Sequence, residues 1–268
     1  MRLLVSVASP AEASAALAGG ADLIDAKDPL AGAIGTVSPT ILGEIQAVCA
    51  GRRPVTAALG DSVDESAIER TARAFAAAGT RFVKVGFAGI ADVERVAALI
   101  RATLRGARTG GDGLTGVVPV AYLDADRVAS LTPAALLAVA ARAGVEGILI
   151  DTADKSGPGL RGLVAPDALA EWVDHAHEAG LFVAIAGQLT AEDLPLIRDV
   201  GADIAGVRGA ACDGGRNGSV NADRVRALVA TCRPGSAAFG HVVAHTNDIT
   251  RAMLNAERPR DPRQQGRA

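Results

Sequence analysis

The chain has 268 residues, of which 49% are hydrophobic and only 3% aromatic. That is enough to bury one α/β domain whose core must be built from Ala, Val, Leu and Ile. A formal net charge of −3 leaves no electrostatic footprint for nucleic acid or an anionic membrane surface. Cys49, Cys212 and Cys232 stand in unrelated contexts and form no disulfide framework, which points to a reducing cytoplasm.

In chain order, the opening MRLLVSVASPAEASAALA imitates a signal peptide, but Pro10 and Glu12 interrupt its apolar core after LLVSVA. A first strand and helix fit it better, and no apolar run is long enough for a membrane span. Short β-type runs then alternate with Ala-rich helical stretches eight times. Strands are expected over 3–9, 21–27, 55–61, 81–87, 117–124, 146–152, 181–187 and 203–209. Helices are expected over 11–18, 38–49, 64–78, 91–105, 132–143, 167–179, 190–199 and 221–232. Ser38-Pro39, Thr132-Pro133 and Pro166-Asp167 supply start signals. Gly19-Gly20, Gly79, Gly144, Gly180 and Gly201 punctuate helix ends. Eight βα units predict a (β/α)8 TIM barrel over 1–232. The rival, a doubly wound open sheet, usually carries a glycine-rich turn after its first strand, and VASPAEA has none. Residues 233–268 form a C-terminal extension: a linker over 235–240, a candidate helix over 241–256 and a polar end too proline-rich to fold alone.

Of 27 Lys and Arg residues only three are lysines, Lys27, Lys84 and Lys155. Where arginine has replaced lysine so widely, the survivors are candidates for chemistry that needs a deprotonated amine. Lys84 interrupts the apolar run RFVKVGF, where a buried, unpaired ammonium would be costly. All three fall toward the C-terminal ends of even-numbered strands, the catalytic end of a barrel. Alternation along LIDAK, RFVKVGF and GILID brings Asp25, Lys27, Lys84, Asp151 and, continuing the count, Lys155 into one mouth. Crowded lysines depress one another's pKa, so one can be a neutral amine that attacks a carbonyl to form an imine. Lys84, semi-buried beside two other lysines, is the expected general base. The bland alternative is a set of Lys–Asp ion pairs with no covalent role.

The segment ADIAGVRGAACDGG, after the last strand, offers glycine backbone N–H groups and Arg208 to a phosphate. Gly187 and Gln188 after the seventh strand, with Gly209 and Ala210 after the eighth, complete the usual phosphate position of such barrels. Its alternative is a tight turn ending in Asp-Gly-Gly. His175-Ala-His177 and His241-x3-His245 are read as solvated histidines rather than metal ligands, and Cys212 as packing.

LLVSVAS, AGGADLIDAKDPLAGAIG, RFVKVGF, ILIDTADKSG and GADIAGVRGAACDGG, taken in order over 1–232, resemble the (5-formylfuran-3-yl)methyl phosphate synthase family, also named 4-(hydroxymethyl)-2-furancarboxaldehyde-phosphate synthase. The resemblance implies a cofactor-free, metal-free enzyme that condenses two glyceraldehyde 3-phosphates with loss of phosphate and water. The furan ring so closed serves a methanofuran-type one-carbon carrier. It also implies that Lys27 forms the Schiff base and Lys84 is the proton acceptor, with Lys155, Asp25 and Asp151 as further active-site positions. Gln188 departs from the serine of archaeal members. Two rivals remain open: a class I aldolase acting on a sugar phosphate, and a non-catalytic barrel that binds a phosphorylated ligand. The expected partner is a small-molecule substrate, with no nucleic acid and no membrane; assembly into a homo-oligomer is left open.

Overall fold

The computed structural model describes residues 1–233. The expected linker, tail helix and polar end, with His241 and His245, lie outside the described residues. In chain order the elements are β1 (Arg2–Val7), α1 (Pro10–Gly19), β2 (Leu23–Ala26), α2 (Pro39–Cys49), β3 (Val55–Asp61) and α3 (Glu65–Ala77). Then come β4 (Phe82–Gly86), α4 (Val93–Thr109), β5 (Gly116–Tyr122), α5 (Pro133–Ala143), β6 (Gly147–Asp151), α6 (Pro166–Glu178), β7 (Phe182–Ile185), α7 (Leu194–Asp199) and β8 (Ile204–Val207). A two-residue hairpin, β9 (Cys212–Asp213) and β10 (Ser219–Val220), precedes α8 (Ala222–Cys232). β1 to β8 pair in parallel and in sequence order, and β1 closes on β8 in the register Arg2↔Ile204 to Val5↔Val207. The expected (β/α)8 barrel is the fold.

Local chemistry accounts for the element starts. Ser9, Ser38 and Thr132 each accept a backbone N–H from the first turn of a helix that begins with proline. α7 starts four residues later than expected. Asp193 takes the N–H and hydroxyl of Thr190 at 2.7 and 3.0 Å, which makes 190–193 a side-chain-closed turn rather than helix. The hairpin β9–β10 was not foreseen either, because two-residue strands carry no periodic signal.

Two apolar layers hold the barrel. Outside it, alanine-rich helix faces pack on Val, Ile and Leu of the strands; each such fully buried Val, Leu or Ile contributes about 1.5–3 kcal/mol. Inside, Phe82 and Phe182 meet edge to face with centroids 5.0 Å apart and close the floor. Gly116 and Gly147 leave room for them: a Cβ at either position would come within 2.7 or 2.6 Å of these rings. The aromatic floor leaves the open cavity at the opposite, C-terminal end. Among the described residues no helix is long and apolar enough to cross a membrane.

Candidate active site

A cavity of about 290 Å³ opens at the C-terminal end of the barrel, lined by Asp25, Lys27, Lys84, Asp151 and Lys155. Strand parity puts the first four there as expected, and Lys155 reaches the mouth from the loop after β6. Leu23 faces the interior layer, so Asp25 and Lys27, at alternate positions, face the mouth. Lys27 follows β2 directly, and its backbone N–H extends the ladder by donating to the Val7 carbonyl at 2.9 Å.

Asp25 is fully buried and accepts three side-chain donors: Ser6 Oγ at 2.9 Å, Thr56 Oγ1 at 2.7 Å and Lys84 Nζ at 2.5 Å. Burial alone would raise its pKa. Lys84, Lys27 and these hydrogen bonds win, and its carboxyl stays below the ordinary value. Asp151, the last residue of β6, accepts Lys155 Nζ at 2.5 Å and the Thr152 N–H at 2.8 Å. Its pKa is also lowered: burial opposes, while the charges of Lys155 and Lys27 and the two hydrogen bonds prevail. Lys155 bonds Thr152 Oγ1 as well, at 3.2 Å. The loop carrying it is braced by buried Asp124, which accepts the N–H groups of Ala153 and Asp154 at 2.7 and 2.8 Å.

Lys27 differs from both. Among the described residues its amine has no hydrogen-bond partner, although the side chain is buried. Burial pulls its pKa down, Lys84 and Lys155 pull it further, and Asp151 and Asp25 restore only part, so it falls from 10.5 to about 7. The sequence reading gave the tuned amine to Lys84. The structure instead locks Lys84 onto Asp25 and leaves Lys27 as the unpaired amine, because Ser6 and Thr56 orient Asp25 toward β4.

At the same end of the barrel, the Tyr122 hydroxyl donates to Asp61 Oδ1 at 2.9 Å. Gly86 makes that bond possible, since a Cβ there would sit 2.5 Å from the hydroxyl and 2.3 Å from the carboxylate.

The phosphate side needs one correction. Gly187, Gln188, Gly209 and Ala210 line the cavity as expected, and among the described residues their N–H groups have no protein acceptor. Gln188 holds a left-handed backbone with φ 60, and its amide nitrogen reaches the Gly157 carbonyl at 3.3 Å. Arg208, however, is not a free fork. Nε donates to the Arg216 carbonyl, Nη1 to the Ser6 carbonyl and Glu12, and Nη2 to Glu12 and the Gly218 carbonyl, at 2.8–3.2 Å. All five guanidinium donors are thus spent within the protein. Arg208 clamps β8 to β1, α1 and the hairpin.

Sequence reasoning missed Ser6, Thr56, Asp124 and Arg216. The first two carried a legible signal, a lone hydroxyl at an inward position of an apolar strand. Arg216, half-buried at the tip of the β9–β10 hairpin, lines the same cavity. Its Nη2 donates to the carbonyls of Pro29 and Gly32 at 3.1 and 2.7 Å. His177 is not simply solvated: its Nε2 lies 3.0 Å from Asp203 Oδ2, tying α6 to the start of β8. Cys212 is buried packing, and burial pushes its thiol pKa up.

The family signature described as 4-HFC-P synthase matches residues 3–229. The chain belongs to that family. It is 42% identical over 230 residues to the (5-formylfuran-3-yl)methyl phosphate synthase of Methanopyrus kandleri, covering 85% of this chain and 97% of the relative. The synthase of the same name from Methanocaldococcus jannaschii is 36% identical, with coverage of 87% and 100%. A putative one from Streptomyces griseus is 37% identical, with coverage of 72% and 78%. Among solved structures, orotidine 5′-phosphate decarboxylase from Pyrococcus horikoshii superposes with TM-score 0.60 at 15% identity, covering 87% of this chain and all of that one. 3-Hexulose-6-phosphate synthase superposes with TM-score 0.55 at 21% identity and the same coverage. These two support the barrel fold alone.

Proposed function

We propose that this chain is a (5-formylfuran-3-yl)methyl phosphate synthase that condenses two glyceraldehyde 3-phosphates through an imine on Lys27. The observation that carries the proposal is the unpaired, buried amine of Lys27, brought to about 7 between two lysine–aspartate pairs. At neutral pH a large share of it is the free base, which is the nucleophilic form.

In the proposed sequence the Lys27 lone pair attacks the aldehyde carbon of the first triose and water leaves as the imine forms. The imine acidifies the hydrogen on C2. Removing that proton sends its bonding pair into a C=C bond and expels the C3 phosphate, which departs with the C–O pair. The second triose then loses its C2 proton to a base, and the carbanion so formed adds to C3 of the unsaturated imine. The ring oxygen then bridges the two chains, the furan forms by dehydration, and hydrolysis of the imine returns the amine. Two trioses give the furan aldehyde phosphate, one inorganic phosphate and two waters. The balance is redox-neutral, so the reaction calls for no oxidant or reductant.

Lys84 and Lys155 each share a 2.5 Å hydrogen bond with a buried aspartate. Each can protonate a departing oxygen and then, as the amine left behind, take a carbon-bound proton. Resemblance assigns the carbon proton to Lys84, and its strand mount suits a fixed base. The free N–H groups of Gly187, Gln188, Gly209 and Ala210 are suited to cradle a phosphate.

Incubation with glyceraldehyde 3-phosphate should raise a furan absorbance together with inorganic phosphate, and borohydride should trap the triose on Lys27. Reversible C–C cleavage without phosphate release would instead indicate an aldolase. Binding without trapping would indicate a ligand-holding barrel.

A further inference from the structure

Charge accounting at the mouth singles out Arg216. Five basic side chains line the cavity: Lys27, Lys84, Lys155, Arg208 and Arg216. Lys84 and Lys155 are matched by Asp25 and Asp151. Arg208 is matched by Glu12 and has no donor left. Lys27 is the amine that the proposed imine chemistry requires uncharged. Arg216 is the exception among the described residues, because no carboxylate lies within ion-pair distance of it. Its Nη2 bonds two carbonyls, while Nε and Nη1 donate to no group among the described residues. A half-buried guanidinium held this way has no ion-pair partner at the rim among the described residues, and burial, with the Arg208 charge, lowers its pKa against the pull of Asp151.

The surrounding backbone holds that charge in place. Gly214 and Gly215 take left-handed φ values of 81 and 75, which suit glycine. Any Cβ at Gly218 would come 1.7 Å from the Asp213 carbonyl oxygen. From beneath, Arg208 bonds the carbonyls of Arg216 and Gly218. The backbone of the tip lies close to the loop after β8: the atom nearest to a Cβ built on Gly209 is the Arg216 backbone nitrogen, at 3.5 Å.

We propose that Arg216 is a phosphate-binding residue, offering Nε and Nη1 to the phosphate of a triose phosphate cradled by the N–H groups of Gly209 and Ala210. This assignment deepens the proposed function, since it rests on the substrate being phosphorylated. It also gives the Nη2 bonds a purpose. Pro29 and Gly32 belong to the loop that follows Lys27, so one guanidinium ties the phosphate subsite to the segment carrying the nucleophile. An arginine suits this double task because its fork addresses two directions at once.

The decisive measurement uses glycerol 3-phosphate, which carries the phosphate but no carbonyl and so binds without imine chemistry. Calorimetry on the full chain should show its affinity falling at least tenfold in Arg216→Gln, with partial recovery in Arg216→Lys. In parallel, borohydride trapping efficiency with glyceraldehyde 3-phosphate should fall at least tenfold more than with glyceraldehyde, which lacks the phosphate. Unchanged glycerol 3-phosphate affinity in Arg216→Gln would overturn the assignment. So would an equal loss of trapping with both aldehydes, which would make Arg216 only a brace for the 28–35 loop. Thermal unfolding of both variants separates loss of binding from loss of fold, and if Arg216→Gln does not fold, Arg216→Lys with wild-type affinity counts against the assignment. Absence of any imine in the wild-type protein would defeat the proposed function yet leave the glycerol 3-phosphate result standing.

Discussion

The Lys84–Asp25 and Lys155–Asp151 pairs are chemically identical and equally short, at 2.5 Å, but they are mounted differently. Lys84 and Asp25 project from β4 and β2, 59 residues apart in sequence, and two further hydroxyls hold the carboxylate. Lys155 reaches back four residues from a loop, and its side chain is 14% exposed against 7% for Lys84. The strand-mounted pair is a fixed charge arrangement inside the barrel. The loop-mounted pair can part when its loop moves, at the cost of two bonds to Asp124. The contrast fits a division of labour in the proposed reaction: the rigid pair handles the carbon proton, and the loop pair, whose Asp151 is the largest charge acting on Lys27, serves groups that enter and leave.

The largest effect should come from the residue between the pairs. Lys27→Arg keeps charge and bulk but supplies no free amine, so borohydride trapping should vanish while circular dichroism stays unchanged. Trapping that persists at Lys84 would exchange the two roles.

The rigid pair should be the more costly to break. Asp25→Asn leaves the Lys84 ammonium buried without its counter-charge, and denaturant unfolding should show a loss of about 3–5 kcal/mol, as for other broken buried pairs. Asp151→Asn should cost visibly less, because Lys155 can swing toward solvent. Equal losses would erase the distinction between the mounts.

Catalysis should separate the pairs in the same direction. Lys84→Arg should still form the imine yet lose about 10²–10⁴-fold in turnover, the usual contribution of a positioned base. Lys155→Arg should lose less. Near-normal turnover in Lys84→Arg would move the base to Lys155 or Asp151.

The pH dependence sharpens the picture. Lys27 is the group lowered from 10.5 to about 7, so the rate of imine trapping should rise with pH and level off above about 7. In stability the sign is the same. Below pH 7 the folded and unfolded states both hold the proton and the cost of burying it is felt in full. As pH rises from 7 toward 10.5 the unfolded chain keeps a proton the folded one has lost, so stability rises. Lys27→Met should remove that slope and stabilise the protein near pH 6 by up to about 5 kcal/mol. Asp25 and Asp151 give a slope of the same sign at lower pH: their contribution is present above the ordinary carboxylate value and is lost as pH falls through their lowered pKa values.

The smallest expected effect lies in the loop brace. Asp124→Ala frees two N–H groups and loosens the Lys155 loop, so turnover should fall severalfold while trapping at Lys27 stays intact. Loss of trapping in that variant would mean that the loop also positions the nucleophile.

Much of this was legible in the chain. Period-two alternation forces Leu23, Asp25 and Lys27 to one face of a strand, and eight repeats of strand and helix leave little choice but a closed barrel. Those two local facts suffice to gather Lys27, Lys84 and the two aspartates at one mouth; Lys155 reaches it from a loop, where alternation does not apply. Which lysine each aspartate would hold was not legible, because it depends on Ser6 and Thr56 reaching Asp25 from neighbouring strands. Nor could sequence show that Arg208 would spend its donors on Glu12, 196 residues away, and leave the free charge to Arg216. Side-chain direction is a local property of the backbone and can be counted along a strand. The partner a side chain finds is set by closure of β8 on β1, and only the folded barrel decides it.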